Sequence, residues 1–347
     1  GRRQQNGAAP ARLMRLLAAA GPADGRPPIL WLLGGVLLLA WVFVPGFATS
    51  NNVANVLTQS AALGLVAIGQ TFVIIGGLID LSVGQVLGLT VVLLCALHAN
   101  HGLGLLPLLV LVLAMGAAIG VAHGWLLKHL RIESLILTFG TLSVLQGLIF
   151  AYTDRSVGRA PEALAWLADG RVMGVPAAAL LLLAAAAVAH VVLRRTRFGL
   201  RLVASGNDAH AARRAGVDVA RVRTIAFALC SIGAVLGGLL IAGRLGTGYP
   251  NAGQGFELDA IVAAVLGGAS LAGGRGSIWG TVAAALLLGT ISNVLNLLEV
   301  SAFVQTFAKG LIVVAAIVGA AIATRPVRKA RCHRRPPPQR HPAPPRS

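Results

Sequence analysis

Charge is scarce in this chain. Only 12% of its 347 residues are Asp, Glu, Lys or Arg, against 56% hydrophobic, and the mean hydropathy is +0.80. A water-exposed surface on a domain of this size needs a substantial polar fraction. A soluble globular fold is therefore excluded, and the lipid bilayer is the natural solvent. Acidic residues are scarcer still, 11 against 29 Lys and Arg, for a formal net charge of +18. On a soluble chain that excess would suggest a nucleic-acid partner, but the cations lie between the apolar runs and at both ends. The aromatics, 5% of the chain, offer no stacking platform for bases, so no nucleic acid is expected. There are 3 cysteines, and Cys95 and Cys230 sit inside apolar runs, so neither a disulfide framework nor a metal site is implied. None of Lys128, Lys309 and Lys329 follows a glycine, which removes the Gly-Lys-Ser/Thr phosphate loop. His-Glu-x-x-His and Gly-x-Ser-x-Gly are missing as well, so nothing points to an enzyme active site.

What the chain does have is length without interior charge. A helix crosses the hydrocarbon with about 20 residues, and about ten such stretches can be marked. They are 29–47, 53–75, 82–99, 103–127, 132–152, 172–193, 222–243, 258–272, 277–298 and 302–324. The first is too long for a signal-peptide core, and 258–272 is short and opens on Asp259. The expected fold is an all-α polytopic bundle over 29–324, preceded by a basic segment, 1–28, and followed by a disordered Arg- and Pro-rich tail, 325–347. With the amino terminus in the cytoplasm, only Arg155, Arg159, Arg171 and Arg244 fall outside and Lys309 within a span. The other Lys and Arg lie inside, so the positive-inside rule places both termini in the cytoplasm. Gly116, Gly120 and Gly124, and again Gly233 and Gly237, recur every four residues, the spacing of close helix packing.

Three features could carry function. Gly76-Gly77-Leu78-Ile79-Asp80-Leu81-Ser82 joins two apolar runs with no room for a polar loop. An ionisable residue at such depth usually faces a cavity or a partner, and paired glycines suit a broken helix. Asp80 is thus a pathway candidate, or alternatively a cap for the next span. Amides form the second set: Asn55 and Gln59 share one helix face, Asn293 and Asn296 another, and Gln305 lies in the last stretch. They would suit a polyhydroxylated substrate, or they would glue helices together. The third is the inner connection 194–221, where His210-Ala211-Ala212-Arg213-Arg214-Ala215-Gly216 offers a short helix that could seat in a partner's groove or lie solvated.

The run from Gly69-Gln70-Thr71-Phe72 to Asp80-Leu81-Ser82-Val83-Gly84 resembles the signature of the ribose, xylose and galactoside permeases of ATP-binding-cassette importers. So do Gly206-Asn207 with Ala211-Ala212 and Gly216, Phe256-Glu257-Leu258-Asp259-Ala260-Ile261, and the stretch from Gly267-Gly268 to Gly276-Ser277. The resemblance implies a multi-pass protein of the bacterial inner membrane that binds no cofactor and uses ATP only through a separate ATPase subunit. It further implies a second permease copy, identical or paralogous, and an extracytoplasmic sugar-binding protein. Gly206, Asn207, Ala211, Ala212 and Gly216 would form the loop that docks on the ATPase, although His210 replaces the usual acidic residue there. A permease of the same superfamily for branched-chain amino acids or nucleosides, or a secondary transporter, is the alternative.

Overall fold

A computed structural model describes residues 28–130 and 132–301 together with parts of 303–311. The basic segment 1–27, most of the stretch 302–324, and the tail lie outside the described residues. The described chain is helical almost throughout, with α1 (Pro28–Phe43), α2 (Ser50–Ile75), α3 (Val83–His101), α4 (Leu105–Leu130) and α5 (Ser134–Tyr152) in its first half. A surface helix α6 (Glu162–Asp169) and a hairpin of β1 (Arg171–Val172) and β2 (Val175–Pro176) follow, with Arg171 opposite Pro176. Then come α7 (Ala177–Arg195), α8 (Arg197–Asn207), α9 (Ala209–Arg214), α10 (Val219–Leu245), α11 (Phe256–Leu266) and α12 (Ile278–Leu297).

Seven of these helices, α2, α3, α4, α5, α7, α10 and α12, are long and apolar enough to cross a membrane. α1 is apolar but spans 16 residues. The stretch read as an eighth span, 258–272, differs more. Its helix, α11, is 11 residues, about 16 Å of rise against a hydrocarbon core of about 30 Å. It stops at Gly267, and the chain turns through Gly268, Gly273 and Gly274, all at positive φ.

α2 is the axis of the bundle: every residue from Ser60 to Ile75 is buried. It packs on α10, α12, α11 and α7. The α2–α10 crossing is close because Gly69 and Gly233 face backbone there. A Cβ on Gly69 would sit 2.8 Å from the Cα of Cys230, and one on Gly233 would sit 2.7 Å from the Leu65 carbonyl oxygen. The run Gly116, Gly120 and Gly124 brings α4 against the other side of α10 in the same way. Both glycine repeats thus lie at helix crossings, where small residues let backbones approach. α4 and α5 are peripheral, with 22% and 17% of their apolar windows buried against 94% for α2. Arg194, Arg195, Arg213, Arg214 and Arg221 share the face that carries α8 and α9, while Arg155, Arg159 and Arg171 lie with α6 and the hairpin at the other end.

Candidate transport site

α2 ends in a reversal at Gly77, where φ is +73°. The Gly77 amide donates to the Ile74 carbonyl at 2.9 Å and the Leu78 amide to Val73 at 3.1 Å, the pairing of a Schellman turn. Residues 78–81 then run without helical bonds, and such a break inside apolar surroundings needs other partners. Two hydroxyls one turn apart on α5 provide them. Ser134 Oγ accepts from the Ile79 amide at 3.2 Å, and Thr138 Oγ1 accepts from the Leu81 amide at 3.1 Å. The Gln70 side chain, in the orientation that satisfies both its ends, donates to the Asp80 carbonyl and accepts from the Asp80 amide, each at 3.2 Å.

Asp80 is fully buried at the centre of this break. Its Oδ1 accepts from the Ser82 amide at 2.9 Å and from Ser82 Oγ at 2.7 Å, which sets the entry to α3. Ser82 is the N-cap residue of α3, so Asp80 supports the cap and does not itself bond the amides of the first turn. Its Oδ2 has no hydrogen-bond partner among the described residues and faces Nδ1 of buried His123 on α4 at 3.9 Å. The protons of this pair can be traced. Thr141 Oγ1 donates to the Leu137 carbonyl at 3.0 Å, so it accepts from His123 Nε2–H at 3.0 Å. Nδ1, equally unpartnered, is left facing the carboxylate. The two atoms attract only when one proton lies between them, on the imidazole or on the carboxyl group. The Phe227 ring stands edge-on to the imidazole at 5.5 Å and closes the apolar side.

The amides are placed differently. Asn293 on α12 exchanges two hydrogen bonds with Asn52 on α2, of 2.8 and 3.0 Å. Asn55 Oδ1 accepts from Arg244 at 3.0 Å, and Asn296 Oδ1 accepts from Gln305 at 2.8 Å. Gln59 is half-buried beside them. The structure thus brings most of these residues into contacts between chain segments, away from Asp80, whose break lies at the opposite end of α2.

At that end α8, α9 and the glycine turn meet. Asp208 caps α9, accepting from the His210 amide at 2.8 Å and the Ala211 amide at 3.0 Å. These bonds hold its carboxyl below the usual range, the Ala211 bond contributing most. Gly216, at φ +81°, ends the helix, and the Val217 amide closes it on the Ala212 carbonyl at 3.0 Å. Ala212 is buried at 5% exposure, whereas Asn207, Ala211, Arg213 and Gly216 are exposed. Of the paired alanines, only Ala211 is open to a partner. Gly206 packs directly on the end of α2, where a Cβ would overlap the Ile75 carbonyl oxygen. That oxygen accepts from the Gly274 amide at 2.8 Å, and a Cβ on Gly273 would lie 3.0 Å from the Gly77 Cα.

Residues 52–322 match the family described as "Branched-chain amino acid transport system / permease component". The chain belongs to this permease family. Among its curated relatives is the ribose import permease protein RbsC of Escherichia coli (strain K12), 37% identical over 279 residues, 79% of this chain and 87% of the relative. The protein of that name in Bacillus subtilis (strain 168) is 37% identical over 296 residues, 84% and 91% of the two chains. The L-arabinose transport system permease protein AraH of Escherichia coli (strain K12) is 36% identical over 290 residues, 80% and 84%. No solved structure matches.

The permease is therefore a multi-pass membrane protein. Beyond the site candidates named from its sequence, the structure adds His123, Ser134, Thr138 and Asn52, and gives Gln70 of the signature a place against Asp80. His123 had a signal of its own, being an ionisable side chain inside the stretch 103–127. Asn52 lies one turn before Asn55 on the same face. The hydroxyls of α5 had none, because Ser and Thr are ordinary residues of membrane helices.

Proposed function

We propose that this permease forms the membrane pathway for a monosaccharide of the ribose type in an ATP-binding-cassette importer. The observation that carries the reading is the buried Asp80 in the break between α2 and α3, within a chain 36–37% identical to ribose and L-arabinose permeases over most of its length. Those relatives favour a sugar over the branched-chain amino acid of the family's description. The chain is not itself an enzyme and binds no cofactor; a separate ATPase subunit hydrolyses ATP. An extracytoplasmic binding protein delivers the sugar, and a second permease copy, identical or paralogous, completes the pathway. In this reading about ten spans cross the bacterial inner membrane with both termini cytoplasmic, since the Arg-rich α8–α9 face then lies inside. Asp80 lines or gates the pathway. The outer amides Asn55, Gln59, Asn293, Asn296 and Gln305 hold its mouth. Gly206, Asn207, Ala211, Ala212 and Gly216 form the coupling element, with Ala211 as its contact surface and Ala212 as its inner anchor.

The test is reconstitution of the complete importer in proteoliposomes, reading ATP hydrolysis stimulated by binding protein loaded with ribose or with leucine. Stimulation by the sugar alone is expected, and stimulation by leucine alone refutes the substrate class. In the same system Ala211→Asp lowers ATPase co-purification while the chain still inserts; full ATPase binding would move the coupling site elsewhere.

A further inference from the structure

On the face that carries α8 and α9, a cavity of about 700 Å³ opens between the end of α4, the start of α5, α9 and the first turn of α10. Lys128, Arg213 and Arg223 line it with a single carboxylate, Glu133. Among the described residues none of the three cations forms an ion pair. Arg213 and Arg223 are close enough to repel one another, and Arg223 Nε is buried without a hydrogen-bond partner. Two guanidinium groups lining one cavity, one with an unsatisfied buried N–H, call for an anion with several acceptor oxygens, and a phosphate fits that demand best.

The surroundings indicate where the phosphate comes from. α4 and α5 are the least buried spans, and beside the cavity they expose Trp125, Leu130, Ile132, Leu135 and Ile136. Apolar surface therefore leads away from the basic cavity along the spans, with an indole at the depth where headgroups meet acyl chains. We propose that this cavity binds the phosphate headgroup of an anionic membrane phospholipid, its acyl chains lying on α4 and α5. Basic pockets between spans at a cytoplasmic interface suit such headgroups. Gly77, three residues before Asp80, lines the same cavity, as does Arg213 of α9, so a bound headgroup touches both the break and the coupling helix. The inference rests on the proposed orientation, with α8 and α9 on the cytoplasmic side, and is independent of the transported substrate.

The experiment uses the full-length permease in a neutral detergent. Thermal unfolding is followed while phosphatidylglycerol, phosphatidylcholine or inorganic phosphate is titrated in, for wild type, Lys128→Gln, Arg213→Gln and Arg223→Lys. Lys128 and Arg213 are exposed, so their variants fold and melt like wild type in phosphatidylcholine. Phosphatidylglycerol raises the melting temperature of wild type, and each lost charge raises its half-saturating concentration about fivefold, the factor expected for one basic side chain near the surface. Arg223→Lys keeps the charge but loses the fork and falls between. Equal protection by phosphatidylcholine, or wild-type phosphatidylglycerol affinity in both Gln variants, overturns the proposal. Protection by inorganic phosphate with none from phosphatidylglycerol overturns the lipid source.

Discussion

Replacing Asp80 separates its two oxygens. Asp80→Asn keeps an acceptor for both Ser82 donors and turns an amide N–H toward Nδ1 of His123, so the geometry survives while the carboxyl group is lost. Hydrogen bonds to charged groups contribute about 1.5–3 kcal/mol and neutral ones about 0.5–1.5, so two weakened bonds cost about 2 kcal/mol. Relief from burying an ionised group offsets part of that cost. Asp80→Ala instead strands the Ser82 amide and hydroxyl and leaves His123 Nδ1 facing a void, in a site with no solvent access. At about 1–3 kcal/mol for each of the two stranded Ser82 donors, the loss is about 2–6 kcal/mol, a large part of the roughly 5–15 kcal/mol that holds a typical domain together. Uptake normalised to membrane protein, with thermal unfolding in detergent, checks both claims. The Asn variant should insert and melt close to wild type yet transport about tenfold more slowly or worse, a barrier change of about 1.4 kcal/mol or more. The Ala variant should accumulate poorly. Wild-type transport by Asn would remove the Asp80 carboxyl group from the mechanism, and wild-type melting by Ala would refute the hydrogen-bond account.

Gly120→Leu should destabilise the bundle by about 3 kcal/mol or more, because its Cβ would meet Ala228 Cα and the Phe227 carbonyl oxygen at 2.5 Å; Gly140→Leu, which has nothing within 4 Å, is the control, and equal melting of the two would refute the crossing. Asn293→Ala should lower the melting temperature, and a double-mutant cycle with Asn52→Ala should return a coupling of about 1 kcal/mol with transport retained; loss of transport at full stability would make Asn293 a pathway residue. Asp208, its carboxyl held low by the Ala211 and His210 amides, stabilises α9 wherever it is ionised, and that contribution disappears only as pH falls through its depressed folded value, below about pH 4. Amide exchange at α9, taken relative to the intrinsic rate of an unstructured amide at each pH, should therefore be constant from neutral pH to pH 5 and rise in stronger acid, whereas Asp208→Asn, which keeps a cap, should remove the acid step. A rise already between pH 7 and 5 contradicts the assignment.

Much of the bundle could be read from hydropathy because crossing a bilayer imposes a length and forbids interior charge, and α2 to α5 match their stretches to within a few residues. The break at Asp80 was readable for the same reason, a carboxylate and two glycines where only apolar helix was expected. α11 was not, since an apolar run that ends at Gly267 looks the same on paper whether it is one long helix or, as here, a helix of 11 residues continued by a glycine turn. His123 was visible as an ionisable residue, but its pairing with Asp80 depends on how α4 is rotated, which the α10 crossing at Gly120 and Gly124 fixes. Which of Ala211 and Ala212 faces outward is decided by packing, because a helix of 6 residues is too short to show a periodic face.

The contact of Gly206 with Ile75, and of Gly273 with Gly77, is made by backbone alone. Side chains that touch can change rotamer and absorb a displacement of about an ångström before the next element responds. A carbonyl oxygen against a Cα has no such slack. A displacement of α8, which carries Gly206, would therefore reach the end of α2 with little loss, and from Gly77 the chain has only Leu78 and Ile79 to yield before Asp80. Selection at this junction would act on stiffness, so that even a methyl group at Gly206, which would fall between the Ile75 carbonyl oxygen and the Gly274 amide and part their hydrogen bond, would alter the gearing into the break without touching the carboxyl group of Asp80.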